Sequence, residues 1–175
     1  VDNAGAVAKW QKMGAWTVQG SGNDAPVDVS ITPAGSTSLS GKPRNFTAVY
    51  SDAQGSGDIV QARLLVNSAF AGANALYGFY DVVPNKLYLF SDDGTMLLGG
   101  FAPGSANVIS NSQGSLNCAS TTVTTNGNQL IVNWNLTPKV MWTGARSVFL
   151  TVRDKNGTVG GCDTMGTWTI APSVG

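Results

Sequence analysis

Residues 121–136 read T-T-V-T-T-N-G-N-Q-L-I-V-N-W-N-L, and this stretch decides the fold class. Every second residue from position 130 to position 136 is apolar, which is the pattern of a strand with one buried face. The pair Asn126-Gly127 supplies the residues that a tight hairpin turn favours. The stretch therefore predicts two antiparallel strands joined by a short turn.

The same alternating pattern recurs along the chain, and no segment carries a sustained helical period. Nine strands are predicted, at 27–31, 46–50, 59–66, 76–80, 87–90, 121–125, 130–136, 148–152 and 168–170. Residues suited to turns separate several of them, at 53–55, 84–85, 93–94, 126–127 and 156–157. A long polar loop is predicted before position 121. This spacing predicts an all-β fold, an immunoglobulin-like two-sheet sandwich of about nine strands.

The composition excludes several classes of function. Only 11% of the residues are charged, the formal net charge is zero, and no basic run offers a surface for nucleic acid. No stretch of apolar residues is long enough for membrane insertion. The chain has no histidine, which removes the commonest general base and nucleophile activator. We therefore expect no catalytic residues and a protein that is not an enzyme.

The surface chemistry favours an extracellular setting. Few charges combined with many Gly, Ser, Thr and Asn residues are typical of secreted β proteins. The chain begins at Val1 rather than at Met, which we interpret as the start of a processed chain. We expect the protein to be secreted, extracellular or attached to a cell surface.

The first eighteen residues repeat a stretch near the end of the chain. Residues 1–18 align with residues 153–170 without a gap, and M-G-A-W-T-V at 13–18 matches M-G-T-W-T-I at 165–170. A D-x-x-G turn signal precedes both copies. Because the second copy is predicted to be the last strand of the sandwich, the first is an additional strand with no obvious partner in the chain.

This duplication divides the chain into an N-terminal strand arm at 1–19, a Gly-rich linker at 20–26 and a sandwich at 27–175. The predicted self-association strand comprises Met13, Gly14, Ala15, Trp16, Thr17 and Val18. We expect it to pair with a sheet of a neighbouring copy, so that copies join head to tail in a filament, fibre or surface layer. Alternatively, the arm is the remnant of a preceding repeat or caps a free edge of its own sandwich.

Several motifs resemble the tandem immunoglobulin-like repeats of large secreted or surface proteins of bacteria. They are V-S-I-T-P-A (29–34), F-T-A-V-Y-S-D-A-Q-G (46–55), L-L-V-N-S (64–68), G-A-N-A-L-Y (72–77), N-K-L-Y-L (85–89), D-D-G-T (92–95), L-N-C (116–118) and M-G-T-W-T-I (165–170). The resemblance implies an architecture and an extracellular setting, and it implies no activity. It leaves open a carbohydrate-binding or adhesion module of a larger protein, and a spacer repeat in a tandem array.

The two cysteines allow one disulfide, between Cys118 and Cys162, and free thiols are the alternative. In the repeats that the chain resembles, the cysteine of the L-N-C motif often pairs with a cysteine in the strand that here reads A-N-A-L-Y. Ala75 and Leu76 stand there instead.

Two further groups of side chains are candidates for binding. Asp52 and Asp58 flank a Gly-rich turn and are weak candidates for calcium, with turns stabilised by Asp side chains as the more common interpretation. No other cofactor is expected. Tyr77, Phe79 and Tyr88 lie on adjacent predicted strands and could stack on the sugar rings of a polysaccharide, although such residues more often divide between core and surface.

Overall fold

The computed structural model describes residues 22–174. Within them the chain forms thirteen strands and one 3₁₀ turn, Ser56–Asp58. The strands are β1 Val27–Thr32, β2 Gly35–Leu39, β3 Arg44–Ser51, β4 Ile59–Asn67, β5 Leu76–Asp81, β6 Lys86–Phe90, β7 Leu97–Phe101, β8 Val108–Ser110, β9 Gly114–Asn117, β10 Thr122–Asn126, β11 Gln129–Pro138, β12 Gly144–Asp154 and β13 Val159–Ala171. No helix in this part of the chain is long and apolar enough to cross a membrane.

The strands form two sheets. The first sheet has the order β1-β3-β11-β9-β8, and β10 also pairs with β11. The second sheet has the order β2-β13-β12-β4-β5-β6-β7. All pairs are antiparallel except β2 with β13, which run parallel. Consecutive strands thus change sheet at several points, and β1 and β2, separated by two residues, belong to different sheets.

The hydrophobic core lies between the two sheets. Phe46 of β3 meets Trp168 of β13 edge to face, with ring centroids 5.0 Å apart, and both side chains are fully buried. Trp134 of β11 packs so closely on Gly78 of β5 that a Cβ at Gly78 would lie 2.9 Å from the indole ring. These contacts join the sheets face to face, so the fold is a β-sandwich, as predicted.

All nine predicted strands are present, and the hairpin at Asn126-Gly127 is confirmed. Asn126 pairs with Gln129, and Gly127 adopts a φ of 61°. The prediction of about nine strands was too low, because β2, β7, β8 and β9 were missed. These four strands have three to five residues each and lack a clear alternation of apolar and polar side chains. Three of them lie in the stretch that was predicted to be a polar loop.

The described chain runs from one pole of the sandwich to the other. Near its start, the Asn23 amide donates hydrogen bonds to Asp154 and Thr158, at the turn between β12 and β13. β13 then extends through thirteen residues, about 40 Å at the usual rise of a strand. At the far end of β13, the backbone N–H of Ser173 donates to the hydroxyl of Ser40. The two ends of the described chain therefore lie at opposite poles.

Candidate functional site

The strand that carries the C-terminal copy, β13, lies in a fitted site between β12 and β2. Its Trp168 is fully buried, and the indole N–H donates to the Ser38 hydroxyl of β2 at 2.8 Å. A Cβ at Gly166 would lie 2.6 Å from the backbone oxygen of Ala34, so only glycine allows this approach. Ile170 is buried, while Thr167 and Thr169 are exposed. One face of β13 thus carries glycine, tryptophan and a β-branched residue toward the core.

The N-terminal copy repeats the residues of that buried face. Met13, Gly14, Ala15, Trp16, Thr17 and Val18, the predicted self-association strand, lie outside the described residues. In the alignment, the counterparts of Gly166, Trp168 and Ile170 are glycine, tryptophan and valine. The exposed position of Thr167 is occupied by alanine in the N-terminal copy. The duplication therefore preserves the chemistry of a strand that covers a hydrophobic core.

The opposite edge of the second sheet is apolar and uncovered. β7 pairs with β6 on one side, and its other side has no partner among residues 22–174. Leu97 and Phe101 of β7 are 44% and 37% exposed. On the same side of the sandwich, β8 is the end strand of the first sheet, and its Val108 is 59% exposed. No charged residue occurs between Asp93 and Lys139. This edge consequently lacks the charges with which natural sheets usually prevent pairing with other chains.

Three aspartates converge at the pole where Asn23 contacts the body. Asp52 follows β3, Asp58 lies in the 3₁₀ turn and Asp154 ends β12. One oxygen from each carboxylate lies within 4.8 Å of the other two. The structure thus brings together the two aspartates predicted from the sequence and adds a third from a distant part of the chain.

Hydrogen bonds orient these carboxylates. The backbone N–H of Gln54 donates to Oδ1 of Asp52 at 2.8 Å, and that of Thr158 donates to Oδ1 of Asp154 at 2.8 Å. Burial, and then the charges of Asp58 and Asp154, raise the pKa of Asp52, partly offset by the hydrogen bond from Gln54. At Asp154 burial acts in the same direction, but hydrogen bonds from Asn23 and Thr158 outweigh it and hold the pKa below its usual value. The two acids therefore sit in unlike surroundings.

The candidate aromatic residues lie on the outer face of the second sheet, while the adjacent Tyr80 faces the core. Tyr77 stacks on Phe90 at 4.3 Å, and Phe79 lies 5.7 Å from Tyr88. The Arg63 guanidinium lies 5.0 Å above the Phe79 ring. Phe79 is 4% exposed, whereas Tyr77 and Tyr88 are half-buried. Beside them is a groove of about 300 Å³, lined in part by Arg63, Phe70, Tyr77, Thr151 and Cys162.

The structure does not contain the disulfide that the sequence allows. Both thiols are free: Cys118 is buried, and Cys162 is exposed on β13. Cys118 belongs to the core between the sheets, and burial raises the pKa of its thiol. Because Cys162 points to solvent and not into that core, the two side chains do not face each other as a disulfide requires.

Two elements of the candidate site were missed in the sequence. Asp154 belongs to the D-x-x-G turn signal, but nothing in that signal relates it to Asp52 and Asp58. The β7–β8 edge was assigned to a polar loop, although the chain from residue 94 to residue 138 contains no charge. That uncharged run is the signal that could have identified it.

Comparison of the chain with protein-family models, with curated proteins and with solved structures finds no match in any of the three.

Proposed function

We propose that this protein is a non-enzymatic structural subunit that assembles head to tail, by donating residues 13–18 as a strand to a neighbouring copy. The observation that carries the proposal is that residues 14, 16 and 18 repeat the glycine, tryptophan and β-branched residue of the buried face of β13. A second strand with glycine, tryptophan and valine at the positions that face a core is costly to leave in water, because burying a large aromatic side chain contributes about 2–3 kcal/mol. Pairing with a sheet would bury this apolar face.

The best acceptor for this strand is the edge formed by β7 and β8. Its exposed Leu97, Phe101 and Val108 offer apolar contacts, and the free side of β7 offers backbone donors and acceptors. Strand addition to such an edge provides affinity through backbone hydrogen bonds and specificity through alternate side chains. Leu97 also pairs with Phe90, so the added strand would continue the aromatic outer face of the sheet.

The position of the linker favours a neighbouring copy as the acceptor. A strand paired with β7 lies five strand spacings from β12, about 24 Å at roughly 4.8 Å each. Asn23 is held at the end of β12, and the five residue steps from there to Val18 reach at most about 18 Å. While Asn23 stays bound at this position, the arm of one copy is too short to reach its own β7 edge, which favours pairing between two molecules.

The placement of the arm and its acceptor suits a linear assembly. The arm departs from the pole that holds Asn23, and the proposed acceptor is the separate β7 edge, so a contact between them relates successive copies in the same direction. A contact between two different surfaces, repeated without closing a ring, builds a filament. The low charge density reduces repulsion between neighbouring copies.

The sandwich belongs, in this proposal, to the immunoglobulin-like type. Two features support it. β1 and β3 pair beside β11 in one sheet, and β4, β12 and β13 are neighbours in the other, as in the ABE and CFG groups of that fold. We further propose that the protein acts outside the cell, on the basis of its low charge and hydroxyl-rich composition.

Assembly is tested by negative-stain electron microscopy and size-exclusion chromatography of the full chain and of a chain lacking residues 1–18. The full chain is expected to form regular fibres and the shortened chain to remain monomeric. Adding a peptide of residues 1–18 to the full chain should compete for the acceptor edge and shorten the fibres. Monomers of the full chain at all concentrations would contradict the proposal.

Matched substitutions in the arm distinguish strand donation from nonspecific aggregation. Trp16→Ala removes a side chain of the preserved face and is expected to prevent fibres. Thr17→Ala changes the neighbouring residue, whose counterpart Thr169 is exposed, and is expected to leave assembly intact. Equal effects of the two substitutions would show that the alternation of the strand is not used.

A spacer repeat is the second candidate, and the opposite positions of the two chain ends favour it as well. In that case the arm would cover the body of its own chain, and the full chain would be monomeric with or without residues 1–18. A polysaccharide-binding module would likewise be monomeric but would be retained on a polysaccharide column. Chromatography on such a column therefore follows if no fibres form.

A further inference from the structure

A buried carboxylate oxygen without a partner marks the aspartate cluster. Asp52 is fully buried, and while its Oδ1 accepts the hydrogen bond from Gln54, its Oδ2 has no hydrogen-bond partner within the described part of the chain. A charged oxygen removed from water and left unpaired is unfavourable by several kcal/mol. One oxygen of the Asp52 carboxylate lies within 4.8 Å of an oxygen of Asp58 and of an oxygen of Asp154, so this buried carboxylate belongs to a cluster that already carries like charges.

The surrounding charges leave this cluster strongly negative. Among residues 22–174, one cation forms an ion pair with the three carboxylates: the ammonium of Lys155 lies 4.0 Å from Oδ1 of Asp58. The side chain of Lys155 is 59% exposed, so water weakens this ion pair. Asp154 is as deeply buried as Asp52. The charge of Asp24 also acts on Asp52, so at least two negative charges remain to be neutralised, which suits a divalent cation.

The distances fit calcium. Calcium binds carboxylate oxygens at roughly 2.3–2.6 Å, so two oxygens on the same ion are at most about 5 Å apart. The three carboxylates meet this limit, with one oxygen of each within 4.8 Å of the others. Calcium also accepts irregular geometry and bidentate carboxylates, whereas magnesium demands a near-ideal octahedron and keeps most of its water. Asp58 is the most accessible of the three and leaves a path from solvent.

We propose that Asp52, Asp58 and Asp154 bind one calcium ion at the pole where residue 23 joins the sandwich. The ion would connect the segment after β3 with the end of β12. Asn23 is hydrogen-bonded to Asp154, so the ion would also stabilise the place from which the linker departs. The site does not depend on strand donation, because none of its ligands lies in the arm or at the β7–β8 edge.

Calorimetry with calcium alone tests the site. The full chain is freed of metal with a chelating resin and titrated with calcium chloride, and thermal unfolding is followed with and without the ion. One calcium ion per chain and a higher Tm in its presence are expected, with weaker binding of magnesium. Absence of both heat and a Tm shift at millimolar calcium would overturn the proposal.

Two substitutions of equal charge change complete the test. Asp58→Asn removes an accessible ligand and is expected to weaken calcium binding at least about tenfold. Without metal, it should unfold at the same or a higher temperature, because it relieves repulsion. Asp93→Asn, in the distant turn between β6 and β7, should bind calcium like the original chain. Unchanged binding by Asp58→Asn, or equal losses in both variants, would refute the assignment. Fibre formation by Asp58→Asn should persist, which keeps this result independent of the assembly test.

Discussion

The second sheet ends in β2 on one side and in β7 on the other, and these two edges differ in how they are protected. β2 is polar, reads G-S-T-S-L and is held beside β13, where Ser38 accepts the hydrogen bond of Trp168. β7 is apolar, with exposed Leu97 and Phe101, and no charge lies within the strand or between it and β8. Ser and Thr side chains on an edge are readily solvated, whereas exposed apolar residues favour a further strand. Each of the two strands has one unpaired side among residues 22–174, and we call the polar β2 the closed edge and the apolar β7 the open edge.

A charge placed on the open edge should have the largest effect. Leu97→Lys puts an ammonium group where the donated strand would pack, so the full chain is expected to change from fibres to monomers. Val83→Lys is the matched control, since Val83 is 79% exposed in the turn between β5 and β6. Electron microscopy and thermal unfolding report assembly and stability separately. Fibres of Leu97→Lys at the original concentration would show that β7 is not the acceptor.

At the closed edge, the largest loss of stability is expected from Trp168→Ala. The substitution removes the ring that contacts Phe46 and the N–H that bonds Ser38, and it should lower the free energy of unfolding by about 3–5 kcal/mol. Trp142→Ala is the control, because Trp142 is half-buried and lies under the Arg146 guanidinium at 4.8 Å. Urea denaturation of the chain lacking residues 1–18 gives both values. Equal losses would mean that the β13 site is not specially fitted to its tryptophan.

A smaller loss should follow from Gly166→Ala. The new methyl group would meet the backbone oxygen of Ala34, which also accepts the N–H of Thr167 at 2.8 Å. Since β13 cannot move away from residue 34 without breaking that hydrogen bond, we expect a loss of about 1–3 kcal/mol. Thr167→Ala, at the next and exposed position, should change stability by no more than about 0.5 kcal/mol. A neutral Gly166→Ala would contradict the close approach of β13 to residue 34.

The smallest predicted effect concerns pH and the edge formed by β1. Burial, and then the charge of Asp163, raise the pKa of Asp28 from 3.8 to about 7. The folded chain therefore retains a proton that the unfolded chain releases above about pH 4, and stability falls as the pH rises from there to about 7. Because Asp28 is only partly buried, solvent reduces the size of this effect.

Asp28→Asn checks this dependence. The chain lacking residues 1–18 should have a lower Tm at about pH 8 than at about pH 5, and the variant should lose much of that difference. The difference between the two profiles isolates Asp28 from other acids such as Asp81, whose pKa burial also raises. Identical pH profiles of the two chains would show that Asp28 titrates normally in the fold.

The sequence was sufficient to predict the sandwich, because nine strands alternate apolar and polar residues, and turns such as Asn126-Gly127 lie between them. It was insufficient for the short strands β2, β7, β8 and β9. These are defined by backbone pairing with neighbouring strands, and side-chain periodicity does not record that pairing. The open edge was therefore hidden within a predicted loop.

The candidate site was predictable only in part, for a related reason. Asp52 and Asp58 are close in sequence, so a local motif suggested them. Asp154 joins them through the pairing of β4 with β12, which no local pattern encodes. The free thiols likewise depend on where each cysteine lies after the sheets have packed, because Cys118 follows β9 and is buried, whereas Cys162 is exposed on β13.

Hydrogen–deuterium exchange tests the central claim most directly. A chain lacking residues 1–18 is compared with and without a peptide of those residues, and exchange is followed at each backbone amide. Strand donation to the open edge predicts slower exchange in Leu97–Phe101 and Val108–Ser110, with no change in Gly35–Leu39. Protection confined to β1 or β2, or no protection at saturating peptide, would contradict it.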